Sequence, residues 1–97
     1  MRLDLLLVRL RFAKSRSIAQ RWIGAGHFRI NGTRVEKADA PVAVGSVLTM
    51  PVAPGPVAPG ARLIVICALP DRRGPPAEAR SCYRDFDPAL DAAERSP

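Results

Sequence analysis

The 97-residue sequence predicts an α+β fold that ends in an irregular C-terminal tail. Three observations predict this class: apolar residues at helical spacing near the start, an Asn-Gly hairpin signal, and a late run rich in β-branched residues. The length is sufficient for one domain of modest core size. We therefore expect two helices, a hairpin and a few further strands.

The first 25 residues predict two amphipathic helices. The first covers residues 2–12, because Leu3, Leu6, Leu7 and Leu10 form one apolar stripe. Ser15 is a good N-cap for a second helix over residues 16–25, in which Ala19, Trp22 and Ile23 repeat the helical spacing. Gly26 suits the position just after its C-terminus.

Residues 26–35, GHFRINGTRV, predict a β-hairpin with a two-residue turn at Asn31-Gly32. Both central residues of such a turn need positive φ, which Asn and Gly tolerate. This turn pairs Phe28 with Val35 and Arg29 with Arg34, so two arginines face each other. Like charges in that position are destabilising, which suggests that a polyanion binds there.

The second half of the sequence predicts strands separated by loops. A strand at about 46–50 follows a turn at 44–46, and the tandem repeat PVAPGPVAPG at 51–60 is typical of a spacer loop. A buried strand is expected at 62–68, with Cys67 in the core. In the tail, 70–97, we expect a short helical turn at about 76–83 and a flexible end that packs only locally.

Charge is distributed unevenly along the chain. The net charge is +6, whereas residues 1–37 alone carry +7 and the remaining residues carry −1. A basic half joined to a nearly neutral half is typical of a nucleic-acid binder and less often of a membrane-surface protein.

The chain offers little support for secretion, membrane insertion or catalysis. Its longest N-terminal apolar run, residues 5–8, is too short for a signal peptide or a bilayer span, so we expect a cytoplasmic protein with two reduced cysteines. His27 is the single histidine, and no phosphate-binding glycine motif is present. We therefore expect a non-enzyme with no cofactor, no metal and no small-molecule substrate.

A basic surface is predicted where the second helix meets the hairpin. Arg16, Gln20 and Arg21 on the helix can lie close to Arg29 and Arg34. Guanidinium groups bind phosphates through paired donors, and Gly32 lets a ribose-phosphate backbone approach closely. Exposed aromatic residues are scarce, because Trp22 and Phe28 lie at predicted core positions. The sequence therefore favours recognition of structured RNA by shape and phosphate contacts.

Several motifs resemble the S-four-type RNA-binding domain, also called the αL motif. They are RLD at 2–4, SRSIA at 15–19, AGH at 25–27, INGTRV at 30–35 and VGSV at 44–47. The resemblance implies two N-terminal helices packed on a small, mostly antiparallel sheet, with a core motif at 2–50 inside a domain of residues 1–69. Together with the basic surface, it predicts RNA contacts by Arg2, Lys14, Ser15, Arg16, Ser17, Gln20, Arg21, Arg29, Asn31, Gly32, Arg34 and Lys37.

The segment RLIVICALPDRRGPPAEARSCY at 62–83 is similar to the corresponding part of the heat-shock protein fifteen family. That resemblance implies a ribosome-associated protein that binds RNA of the large subunit, with tRNA as a further contact, in ribosome rescue under stress. We expect a monomer, because nothing in the sequence suggests a large apolar patch beyond the core. Two alternatives stay open: a helix-turn-helix DNA-binding protein, and an accessory module that binds a protein partner through the PVAPG loop.

Overall fold

The computed structural model describes residues 1–51 and 61–88 and has the predicted α+β class. In these residues the chain forms α1 (Leu3–Arg9), α2 (Arg16–Gly24), β1 (Phe28–Ile30), β2 (Thr33–Val35), β3 (Val47–Pro51), β4 (Ala61–Ile66), α3 (Pro76–Arg80) and β5 (Tyr83–Asp85). The strands form one antiparallel sheet in the order β2-β1-β3-β4-β5.

Two expectations fall mainly outside the described residues. All of the PVAPG spacer loop except Pro51 lies outside the described residues. Pro51 ends β3 and pairs with Ala61. Residues 89–97, for which a flexible end was predicted, also lie outside the described residues. The domain boundary at residue 69 stays a prediction.

The first helix is shorter than predicted, because it ends at Arg9 in a Schellman motif. Arg11 has a φ of 67° and donates its N–H to Val8, and the N–H of Phe12 reaches the carbonyl of Leu7 at 2.9 Å. Glycine usually occupies the left-handed position of this motif. Since an arginine stands there, the sequence contains no recognisable stop signal before residue 12.

The second helix begins at Arg16 as predicted and ends at Gly24, one residue before the predicted end. The Ser15 hydroxyl accepts a hydrogen bond from the N–H of Ile18, which satisfies one free donor of the first turn. At the other end Gly26 has a φ of 86° and its N–H reaches the carbonyl of Ile23. The helix is therefore held between a polar N-cap and a glycine, as the sequence indicated.

The hairpin register is also confirmed. Phe28 pairs with Val35, Arg29 with Arg34 and Ile30 with Thr33, and the turn residues Asn31 and Gly32 have φ values of 52° and 84°. The two arginines thus lie opposite each other on neighbouring strands.

The prediction for Cys67 was wrong. Strand β4 ends at Ile66, and Cys67 is exposed, whereas Cys82 is buried. The β-branched run is also buried only in its second half, at Ile64, Val65 and Ile66, whereas Leu63 is exposed.

The expectation that the tail packs only locally was also wrong. The predicted helical turn is present as α3, but residues 83–85 then add a fifth strand beside β4. The segment before α3 is fastened to α1 by three arginine-to-carbonyl hydrogen bonds, which join Arg9 to Pro70, Arg11 to Gly74 and Arg73 to Val8. We call these contacts between residues 70–74 and residues 8–11 the arginine seam.

One buried cluster joins the helices to the sheet. Leu3, Leu6 and Leu7 of α1 pack with Ala19 and Ile23 of α2, and the sheet contributes Phe28, Leu48, Ile64 and Ile66. No helix in residues 1–51 and 61–88 is long and apolar enough to cross a bilayer. The same residues contain no group of metal-ligating side chains.

Candidate nucleic-acid interface

Asp4 organises the start of the predicted binding surface from a fully buried position. Its carboxylate accepts hydrogen bonds from Arg2 at 3.0 and 3.1 Å, from Gln20 at 3.1 Å and from Arg16 at 3.4 Å. The backbone N–H of Leu5 adds a fourth partner at 2.8 Å. One acid therefore gathers three of the predicted RNA-binding side chains, although they come from different parts of the chain.

The electrostatics of this group favour a charged Asp4. Burial raises the pKa of the Asp4 carboxyl, but the hydrogen bonds from Gln20, Arg2 and Leu5 and the charge of Arg2 outweigh it, so the pKa lies below its usual value. The Arg2 and Arg16 side chains remain 45% and 48% exposed. One buried negative charge thus orients two surface positive charges and leaves donors available to an anion.

Three further predicted contacts lie just before α2 and along it, without a fixed partner. Among residues 1–51 and 61–88, no hydrogen bond or ion pair engages the side chains of Lys14, Ser17 or Arg21. Ser15 is already engaged as the N-cap. Helix N-termini favour anions, so the exposed first turn of α2 and the positive charge of Lys14 just before it both favour phosphate binding.

Arg34 connects the hairpin to the other end of α2. Its guanidinium lies against Gly26, where a Cβ would meet it, and it forms an ion pair of 2.9 Å with Glu36. Arg29 across the hairpin donates to the carbonyl of Gly32 at 3.4 Å. The two facing arginines are therefore directed to different partners, which reduces their repulsion.

The two residues of the hairpin turn, Asn31 and Gly32, have different roles. The Asn31 side-chain oxygen accepts a hydrogen bond of 2.9 Å from the N–H of Val47, and the N–H of Asn31 donates to the Val47 carbonyl at 2.8 Å. Asn31 thus fixes the turn to β3. Gly32 has open space where a Cβ would stand, so a backbone could approach it closely. Lys37 is exposed beyond β2.

Asp4 is a functional residue that was not predicted from the sequence. A signal was present, since Asp4 is the single acid in the first 35 residues and lies directly beside the leucine stripe. A buried acid in a strongly basic segment implies cationic partners.

All of the predicted contact residues lie in the part of the chain that matches a known family. Residues 1–48 match the family model of the S4 domain. The chain is 43% identical over 49 residues to small ribosomal subunit protein uS4 from Gloeobacter violaceus, a match that covers 50% of this chain and 24% of that protein. It therefore spans about a quarter of that curated relative.

These findings show the class of the protein: the chain contains an S4 domain, the S-four-type domain that its motifs predicted. Over nearly its whole length it is also similar to heat shock protein 15 from Vibrio cholerae, of which a trimeric structure is known. That likeness has a TM-score of 0.77 at 29% identity and covers 98% of this chain and 90% of the other.

Proposed function

We propose that this chain is a non-catalytic RNA-binding protein that uses its S4 domain to bind structured ribosomal RNA. The observation that carries the proposal is the buried Asp4, which holds Arg2, Arg16 and Gln20 together at the surface. Charged side chains that served only solubility would not require a buried carboxylate to orient them, because burying a carboxylate is costly.

Phosphate contacts provide most of the binding energy in this proposal. Residues 1–37 carry a net charge of +7, and the four predicted cations Lys14, Arg21, Arg29 and Lys37 have no acidic partner among the described residues. Neutralising phosphates releases counterions, so RNA affinity should fall steeply with salt. Contacts to 2′-hydroxyl groups would favour RNA over DNA.

The target we propose is the large ribosomal subunit in the cytoplasm, with tRNA as a further contact, during ribosome rescue or recycling under stress. Support comes from the similarity to heat shock protein 15 and to a ribosomal protein. We propose that the RNA-binding form is a monomer, because the large exposed apolar residues Ile18, Val44, Leu63 and Leu69 lie in separate segments of the chain. Since the similar Vibrio cholerae protein has a trimeric structure, light scattering with and without RNA tests this point.

Sedimentation through a sucrose gradient tests the function. The tagged chain is added to cell lysate at low and at high salt, and its position is compared with that of free large subunits. Co-migration at low salt that disappears at high salt is expected. An Arg16→Ala, Arg29→Ala variant should remain at the top, whereas Arg80→Ala, which removes an exposed arginine of α3, should still co-migrate.

A chain that stays at the top at both salts would contradict the ribosomal target. Competition between duplex DNA and folded RNA then separates a DNA-binding protein from one that binds another RNA.

A further inference from the structure

We propose that an open groove between α2 and the turn that follows α1 binds a single unstacked RNA base beside the phosphate-binding surface. The groove has a volume of about 340 Å³ and is lined by Phe12, Ile18, Arg21 and Trp22. This inference rests on the proposed RNA-binding function and adds a nucleobase site to it.

The walls of the groove are aromatic and held in place. The Phe12 ring lies 5.0 Å from the ring of Tyr83, centroid to centroid, and the guanidinium of Arg62 lies 5.9 Å from its centre. Trp22 packs edge-on against Phe28 at 4.9 Å. Because both rings are fixed by neighbours, a base that enters loses little free energy to reorganisation of the walls.

The sequence predicted a different environment for these residues. It placed Trp22 in the core and indicated few aromatic residues for stacking, whereas the structure leaves Trp22 and Phe12 half-buried beside a 41% exposed Ile18. The early end of α1 is the reason, since Phe12 stands in the Schellman turn after the helix and lines the groove together with residues of α2.

The charge beside the groove indicates a nucleotide. Arg21 lines the groove, and its guanidinium has no partner among residues 1–51 and 61–88. Lys14 and Ser17, two predicted phosphate contacts, belong to the turn and helix that connect Phe12 to Ile18. A base between the aromatic walls therefore leaves its phosphate within the basic surface.

The size of the groove argues against a protein partner. Its volume lies at the lower end of the roughly 300–1,000 Å³ of small-ligand sites. A stable protein interface buries about 800 Å² on each side and involves some 20–30 residues, whereas four residues line this groove.

Trp22 is the one tryptophan of the chain, so its fluorescence reports on the groove. The full chain is titrated with a short fluorescein-labelled RNA hairpin whose stem carries one bulged adenosine, and with the same hairpin carrying an abasic residue at the bulge. Anisotropy of the label measures total binding, and Trp22 emission measures occupation of the groove.

The bulged adenosine should quench Trp22 and bind about 5- to 140-fold tighter than the abasic hairpin, which is the roughly 1–3 kcal/mol of one base–aromatic stack at 1.4 kcal/mol per tenfold. Phe12→Leu and the milder Ile18→Ala should shrink that ratio. Arg21→Gln should weaken both hairpins alike. Val44→Ala, at a 60% exposed turn position outside the groove, is the matched control and should change neither.

Equal affinity for the two hairpins with unchanged Trp22 emission would overturn the base site while leaving RNA binding intact. Failure of both hairpins to bind at low salt would overturn the proposed function and the base site together. If Trp22 emission instead shifts with protein concentration in the absence of RNA, the groove joins copies of this chain and the proposal is wrong.

Discussion

Gln20 donates a hydrogen bond of 3.1 Å to the buried carboxylate of Asp4, a residue sixteen positions earlier in the chain. This contact joins α2 to α1 through a polar group inside the fold. The same carboxylate holds Arg2 and Arg16, so folding and the arrangement of the binding surface depend on one side chain.

Asp4→Asn should lower the free energy of unfolding by about 1–3 kcal/mol, because the neutral amide leaves buried donors without a charged acceptor. RNA affinity should fall as well, since Arg2 and Arg16 would no longer share an anchor. Urea unfolding measures the first effect and RNA titration the second. Asp39→Asn, an exposed acid with no partner in the described part of the chain, is the control and should change stability little.

Acid should remove the stabilisation that Asp4 provides. Its folded-state pKa lies below the usual value, so the unfolded chain binds a proton more readily than the folded chain does. The contribution is complete above the unfolded value of roughly 3.9 and disappears as the pH falls through the lower folded value. Thermal unfolding between neutral pH and acid should therefore show a shallower pH dependence in Asp4→Asn, and equal slopes in the two proteins would contradict this.

Arg16→Ala should weaken RNA binding without unfolding the domain, because its side chain is 48% exposed and its hydrogen bond to Asp4 is long, at 3.4 Å. The magnitude of the slope of log affinity against log salt should decrease by about 0.7–0.9 for each phosphate that the variant no longer neutralises. Arg80→Ala removes the same charge from α3 and serves as the control. An unchanged slope in Arg16→Ala would place this arginine outside the interface.

Arg29→Thr should separate stability from binding. Removing one of the two facing arginines relieves repulsion and should raise the free energy of unfolding, within the roughly 0.2–1 kcal/mol of cross-strand pairs. RNA affinity should fall at the same time. Unfolding and RNA titrations on the same preparation test both, and a decrease in stability would show that Arg29 supports the hairpin instead.

Substitutions of Arg11 test the left-handed backbone conformation that ends α1. Arg11→Ala and Arg11→Gly both remove the hydrogen bond to the Gly74 carbonyl, but only glycine adopts a φ of 67° without steric cost. Arg11→Gly should therefore be more stable than Arg11→Ala by about 1 kcal/mol. Equal unfolding midpoints and slopes in the two variants would contradict the left-handed conformation.

The sequence predicted the parts of the fold that local signals control. Ser15, Gly26 and Asn31-Gly32 act through backbone geometry within a few residues, so α2 and the hairpin register followed from pattern alone. The end of α1 did not, since an arginine occupies a position where glycine is usual. Strand β5 and the exposure of Cys67 depend on pairing between distant segments, which leaves little trace in local composition.

The residues of the candidate site likewise divide into those that local sequence signals predicted and those that depend on distant contacts. Residues of α2 and the hairpin were found because basic side chains cluster there in the sequence. For Asp4 the sequence carried one signal, its place as a lone acid beside the leucine stripe, but its partner Gln20 depends on the packing of α2 against α1. The groove at Phe12 depends on the position of Phe12 beside residues of α2, which local patterns do not specify.

The five-stranded sheet sets a limit on moving this domain between proteins. The S4 match ends at residue 48, one residue after β3 begins, whereas Ile64 and Ile66 of β4 lie in the same buried cluster as Leu3 and Leu6. A graft of the matched half would thus carry the basic surface without the strands that complete its core, and would expose an unpaired sheet edge. In this chain the smallest transplantable unit includes β4, and the arginine seam with β5 makes residues 70–85 part of the same cooperative fold.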